Sequence, residues 1–373
     1  MQIVGYQSNG VIYFLGSYPF VKTRTVSEWQ KIYDQLETDT TSYFQYDSIT
    51  GWTHRPNSVS QDSLMHFNSL GIRGLREYNI EPSEDTVRIL FLGSSVMLSA
   101  EVADTNSLGF YLEKQLIEAG KTVEVLNMGV GSFGNDQVLL RWEYQAKKLQ
   151  PDIVVQGVHL SECWLNLNIF KYCSHPPTGI LYTKPRAIFK SDSLSWINLP
   201  TIQPNKIVDS VIVNYEQQSY FEYEYFKSIP RVGRQFFDNL YLYQIYQQYY
   251  RIETLKNIDM HLEGQALMQE LIEPLQQSVE AETAVYVMLK LASYNDLRKM
   301  QRSESIPNNE IWEKIAHNKQ VVSSYEVLSK EELSKLFVGT QASHYSTLGN
   351  ELIAKQLSDY LLKNKLIRKK EVK

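Results

Sequence analysis

VRILFLG, residues 87–93, is a continuous apolar run, too short for a helix and closed by a glycine, as expected of a strand buried on both faces. A helical pattern follows over Ser107 to Ala119, then the strand VEVLNM at 123–128, a helix over Asn135 to Lys148, and the strand DIVVQGV at 152–158. Strand and helix alternating at this spacing require right-handed crossovers and a parallel sheet. The theme returns after residue 260, with a helix over His261 to Ala281 and the strand AVYVML at 284–289. A weaker strand at Gln320 to Ser324, a helix around Lys330 to Phe337 and a last helix over Thr347 to Lys363 complete it. The pattern predicts an α/β domain with a doubly wound parallel sheet of about five strands.

The rest of the chain divides around that domain. Residues 1–85 read as a lead-in or flap: a hairpin or extended segment, a helix near Val26 to Leu36, then the turn-rich text from Tyr46 to Arg76 with a few short strands. The α/β domain occupies 86–165 and 262–365. Between them, 166–261 is dense in aromatic residues, among them Tyr220, Phe221, Tyr223, Tyr225, Phe226, Phe236, Phe237, Tyr241, Tyr243, Tyr246, Tyr249 and Tyr250. Aromatics at this density are costly to leave in water, so the segment reads as an insertion or cap, either internally packed or shaping a substrate groove. Residues 366–373, with Arg368, Lys369 and Lys370, read as a solvated basic tail.

Composition narrows the function classes. The 373 residues are 43% apolar and 21% charged, near globular averages, which excludes disorder and fibrous repeats. A net charge of −5 offers no basic field for phosphates, so nucleic acid is not an expected partner. Two cysteines, Cys163 and Cys173, and seven scattered histidines give no cluster at zinc spacing, and no metal or cofactor is expected. G-V-G-S-F-G at 129–134 lacks the lysine of a phosphate-cradling loop. No stretch approaches the roughly 18 to 20 apolar residues of a membrane span, and no charged leader precedes an apolar run. The expectation is a soluble, cytoplasmic protein acting on a small-molecule or carbohydrate ligand.

Ligands of open parallel sheets sit beyond the carboxyl ends of the strands. There the sequence places Gly93-Ser94-Ser95 after the first strand and Asn127-Met128-Gly129-Val130-Gly131-Ser132 after the second. His159-Leu160-Ser161-Glu162 follow the third, and Gln341-Ala342-Ser343-His344 precede the last helix. A serine after the first strand and a histidine before the last helix can meet over one sheet edge.

In these blocks the chain resembles the SGNH (GDSL-like) hydrolase superfamily. The resemblance spans roughly 46 to 365, including YDSITGW, RPN and NSLGIRG upstream, the KPR and NLP elements near 184–200, and HYSTLGNELIA at 344–354. It implies a flavodoxin-like sheet, Ser95 as nucleophile and His344 as general base. It also implies an oxyanion hole from the Ser95 backbone N–H with donors at Ser132 and Ser161, where the family has glycine and asparagine. Ser94 stands where the family has aspartate before the nucleophile, and Gln341 where it has the aspartate that orients the histidine. Glu162 and Asp136 are the candidates to supply a carboxylate instead, and neither stands at the family position.

Each residue also has a plainer reading. Ser94 can be a turn residue or helix cap, Asn127 a tie between loops, His159 a satisfied half-buried histidine, and Cys163 a small buried hydrophobe. With Ser94, Asn127, His159 and Glu162 as further binding candidates, the expected function is a serine-dependent ester hydrolase or acyltransferase. Its expected substrate is an acylated carbohydrate or small metabolite, handled through an acyl-Ser95 intermediate. The alternative is a non-catalytic relative that keeps the groove to bind a glycan or protein.

Overall fold

The computed structural model describes residues 5–8, 11–14, 18–19, 24–175, 178–190, 193–226, 232, 246, 249, 258–303, 305–338 and 344–369. The chain divides into two units, one of residues 1–53 and 164–264, the other of residues 54–163 and 265–373.

The second unit is built on a five-stranded parallel sheet: β1 (Val87–Leu92), β2 (Val123–Asn127), β3 (Ile153–Val158), β4 (Val285–Lys290) and β5 (Gln320–Ser323). The strand order is β5-β4-β3-β1-β2, with parallel register along every pair. This is the flavodoxin-like order 2-1-3-4-5, whose connections reverse direction between β1 and β3 and open a crevice at their carboxyl ends. All six residues of β1 are buried, in keeping with a strand covered on both faces. Arg88 interrupts the apolar run without exposing it: its Nε donates to Glu124 on β2 at 2.7 Å and its Nη atoms to the carbonyl oxygens of Asn79, Ile80 and Leu149. A buried guanidinium is tolerable only when its donors are satisfied in this way.

Five helices set the scaffold: α1 (Ser95–Leu98), α2 (Leu108–Glu118), α3 (Asn135–Arg141), α4 (Ile258–Ala281) and α5 (Thr347–Lys363). Leu108, Leu112 and Leu116 of α2 are buried at a four-residue spacing, and α5 buries Ile353, Ala354, Leu357 and Leu361. Where the pattern predicted one helix to Lys148, α3 stops at Arg141 and passes through a wide turn, Trp142–Ala146, then a tight one, Lys147–Leu149. Arg141 Nε donates to the Met128 carbonyl at 2.9 Å, and the buried Trp142 Nε1 to Ser278 Oγ at 2.9 Å. The helix expected at 330–337 is only Leu333–Leu336, because Phe337 leaves it to bridge Tyr345, their rings 5.2 Å apart. Further helices at Tyr294–Ser303, Asn309–Ala316 and Ser324–Leu328 carry no expectation from the sequence.

Residues 54–85 fold with this sheet and differ in that from a lead-in ending at residue 85. The Arg73 N–H donates to the Asn127 carbonyl at 3.1 Å and Tyr78 Oη to the Val125 carbonyl at 3.1 Å, so the segment lies along β2. The basic tail is not wholly solvated either: Leu366 is buried, and Lys369 Nζ lies 3.6 Å from the buried Asp152.

In the first unit, the helix Val26–Thr38 opens with a capping box between Thr25 and Glu28 and buries Trp29 and Tyr33. Tyr33 Oη donates to the Leu181 carbonyl at 2.6 Å. The buried Glu224 carboxylate accepts from the N–H groups of Ile169, Phe170 and Phe226, which pins residues 169–170 to residues 224–226. Tyr220 and Phe226 are buried there, while Tyr246 and Tyr249 are more than half exposed. Phe236, Phe237, Tyr241, Tyr243 and Tyr250 lie outside the described residues.

Candidate active site

The turn after β1 is shaped by Gly93, at φ +153°, where an added Cβ would sit 2.7 Å from Met97 Cβ. No larger residue fits between the strand and α1. Ser94 then caps α1, its Oγ accepting from the Val96 N–H at 3.4 Å and donating to Glu162 Oε2 at 2.5 Å. Ser95, the first residue of α1, is partly exposed at the sheet edge.

His344 arrives from the opposite end of the chain. Its carbonyl accepts from the Val338 N–H at 3.1 Å, and Tyr345, which is 2% exposed, donates its Oη to the Ala292 carbonyl at 2.6 Å. Ser346 caps α5 through the Gly349 N–H at 3.2 Å, and a Cβ on Gly349 would meet the Leu336 carbonyl at 2.5 Å. The serine-to-glycine spacing after His344 is therefore a cap and a close backbone approach, which together fix the ring's position.

Ser95 Oγ and His344 Nε2 are 2.8 Å apart, and His344 Nδ1 lies 2.9 Å from Glu101 Oε2. A carboxylate only accepts, so the neutral ring carries its proton on Nδ1 and leaves Nε2 free to accept from Ser95. A hydroxyl held against such a ring can lose its proton as it attacks an electrophile. The hydrogen bond to His344 holds the Glu101 carboxyl below the usual range, against the opposing effect of its partial burial.

Glu101 has no counterpart in the sequence reading, where Gln341 was expected to orient the histidine. Gln341 lies outside the described residues, and Glu101 occupies Nδ1. The loop carrying Glu101 turns through left-handed backbone at Ser99 (φ 59°) and at Glu101 itself (φ 67°). Arg73 holds that loop from beneath. Its buried guanidinium donates to the carbonyls of Leu98, Ser99 and Val102 and, through Nε at 3.1 Å, to Asp104, which also meets His66 Nδ1 at 2.7 Å. The NSLGIRG text contained this anchor, but nothing local in it pointed to Glu101.

The other candidates divide between site and scaffold. Ser132 adopts φ 64°, the left-handed region in which a side chain is uncommon. Among the described residues the amide N–H groups of Ser95 and Ser132 meet no hydrogen-bond acceptor. Asn127, a binding candidate from the sequence, is a tie between loops: its Nδ2 donates to the Met97 and Leu98 carbonyls and its Oδ1 accepts from the Gly129 N–H at 3.0 Å. Glu162 is engaged by Ser94, and Asp136 is buried, its Oδ1 accepting from the Gln137 N–H at 2.8 Å. Ser161 Oγ lies 2.8 Å from Nδ1 of the buried His159. Among the described residues no group of three His, Cys, Asp or Glu side chains is placed to hold a metal ion, and no helix is long and apolar enough to cross a membrane.

No family model and no curated protein matches the sequence. Among solved structures, the chain is similar to a candidate lipolytic protein of the G-D-S-L family from Desulfitobacterium hafniense DCB-2, at 12% identity and a TM-score of 0.37 over 74% of this chain and 99% of that one. It is also similar to the lipase/acylhydrolase from Enterococcus faecalis, at 12% identity and a TM-score of 0.39 over 77% and 100%. A catalytic mutant of an acetylxylan esterase from Geobacillus stearothermophilus matches at 12% identity and a TM-score of 0.39 over 74% and 94%.

Proposed function

We propose that this chain is a serine-dependent ester hydrolase working through an acyl-Ser95 intermediate. The observation that supports it is the hydrogen-bonded series Ser95 Oγ, His344 Nε2, His344 Nδ1, Glu101 Oε2, with separations of 2.8 and 2.9 Å. A protein that only binds has no need of a serine, an imidazole and a carboxylate in contact.

In the first step Ser95 Oγ attacks the ester carbonyl carbon while its proton passes to His344 Nε2. Glu101 stabilises the resulting imidazolium and keeps the ring oriented. The charge on the carbonyl oxygen is met by the free amides of Ser95 and Ser132. Collapse breaks the ester C–O bond, and the departing alcohol takes the proton from His344. Water then attacks the acyl carbon with His344 again as base, releasing the acid and restoring Ser95. An acceptor alcohol or amine in place of water would give acyl transfer by the same residues. The substrate class we assign, from the sequence resemblance, is an acylated carbohydrate or small metabolite.

Rapid mixing with p-nitrophenyl acetate, followed by acid quench and peptide mass analysis, tests the reading. The expected result is a burst of p-nitrophenol and an acetyl group on Ser95, both absent in Ser95→Ala. No burst, or one that survives Ser95→Ala, would overturn it.

A further inference from the structure

His159 is 3% exposed, yet among the described residues its Nε2 has no hydrogen-bond partner, while Nδ1 is 2.8 Å from Ser161 Oγ. A buried ring nitrogen left unpaired is costly, and in a native fold it calls for a reason. Its position supplies one. β3 runs parallel to β1 with Ile153 opposite Ile89 and Gln156 opposite Leu92, so His159, just past the end of β3, and Ser95, just past the end of β1, lie at the same edge of the sheet. The two turns are also joined directly. Ser94, beside the nucleophile, donates to Glu162, whose N–H donates back to the His159 carbonyl at 3.0 Å.

We infer that His159 contributes its Nε2–H as a third donor to the oxyanion, a role the sequence reading gave to Ser161. The inference rests on the hydrolase reading above and extends it to a residue that reading does not use. Ser161 is exposed, and its hydroxyl is occupied by His159. Its part is to donate to Nδ1, which leaves the neutral ring's proton on Nε2. An imidazolium would carry a proton there too, so only the Nδ1–H tautomer removes the donor. Unpaired in the resting protein, Nε2–H would gain its partner as the carbonyl oxygen becomes charged. That is the condition for stabilising the transition state more than the substrate.

Two measurements test this on the intact chain. In ¹⁵N-histidine spectra, His159 is expected to show a protonated Nε2 and a bare Nδ1; the opposite tautomer overturns the inference, whatever the fate of any variant. With p-nitrophenyl acetate, His159→Phe is expected to lower turnover by on the order of 10²- to 10³-fold, as loss of one oxyanion donor does. His159→Gln, whose amide nitrogen reaches the place of Nε2, is expected to stay within about tenfold of the unaltered protein. Turnover unchanged in His159→Phe, with acetyl-Ser95 still forming in the unaltered protein, overturns the role of His159 alone. Absence of acetyl-Ser95 in the unaltered protein overturns the hydrolase reading and this one with it.

Discussion

Glu101 Oε2 stands 2.9 Å from His344 Nδ1, on a loop that begins only a few residues after Ser95. Ser95 and Glu101 are thus carried by one short stretch, and only His344 comes from afar. The Glu101 side chain is half exposed, whereas His344 is 19% exposed, so water screens the carboxylate more than the ring it orients.

Glu101→Gln is expected to lower kcat for p-nitrophenyl acetate by about 10²-fold with little change in KM. A buried triad carboxylate is worth about 10⁴ in kcat, and screening reduces that value here. Glu101→Asp, one methylene shorter, is expected to fall between the two. Steady-state kinetics of the purified variants checks both.

The depressed Glu101 carboxyl links this contact to acid stability. A group whose folded pKa lies below its unfolded value contributes stability that is fully present above about pH 4.3 and is lost as pH falls through the folded value. Removing the partner with His344→Ala should therefore cost stability near neutrality, and the difference in Tm from the unaltered protein should shrink below about pH 4. Thermal melts from pH 3 to pH 7 would show it; a gap that widens on acidification would refute the linkage.

The fold and the meeting of Ser95 with His344 at the sheet edge were legible because both follow from local rules. Val87 to Leu92 is long enough to be a strand and too short to be a helix, and the residues after such strands are where a doubly wound sheet presents its chemistry. Ser95 and His344 occupy those places. Glu101 was not legible, because a loop turned through left-handed backbone at Ser99 and Glu101 has no periodicity, and its shape is imposed by Arg73 from a distant segment. Arg88 was absorbed into an apolar run because its partner, Glu124, lies on another strand.

Arg73→Lys is expected to impair both stability and turnover. A lysine ammonium cannot reproduce the planar fork that meets Leu98, Ser99, Val102 and Asp104 together, and each buried carbonyl left unpaired costs about 1–3 kcal/mol. Urea unfolding reports the first effect. A drop in kcat that is not additive with that of Glu101→Gln would show that Arg73 acts through Glu101.

At Ser132 the backbone makes opposite demands of two small changes. Ser132→Gly relieves a left-handed side chain and is expected to preserve stability within about 1 kcal/mol, the gain in fit offsetting the entropy of glycine. Ser132→Val places a β-branched residue at φ 64° and is expected to lose about 1–2 kcal/mol and to disturb the amide offered to the oxyanion. Urea midpoints, read beside p-nitrophenyl acetate turnover, separate the two.

The most direct measurement of the central claim is labelling of the intact protein by a fluorophosphonate probe, read by peptide mass spectrometry, beside Ser95→Ala, His344→Ala and Glu101→Gln. One adduct is expected, on Ser95, formed far more slowly in His344→Ala and at an intermediate rate in Glu101→Gln. No adduct under conditions that fully label a known serine hydrolase, or an adduct on Ser95 at the same rate without His344, would contradict it.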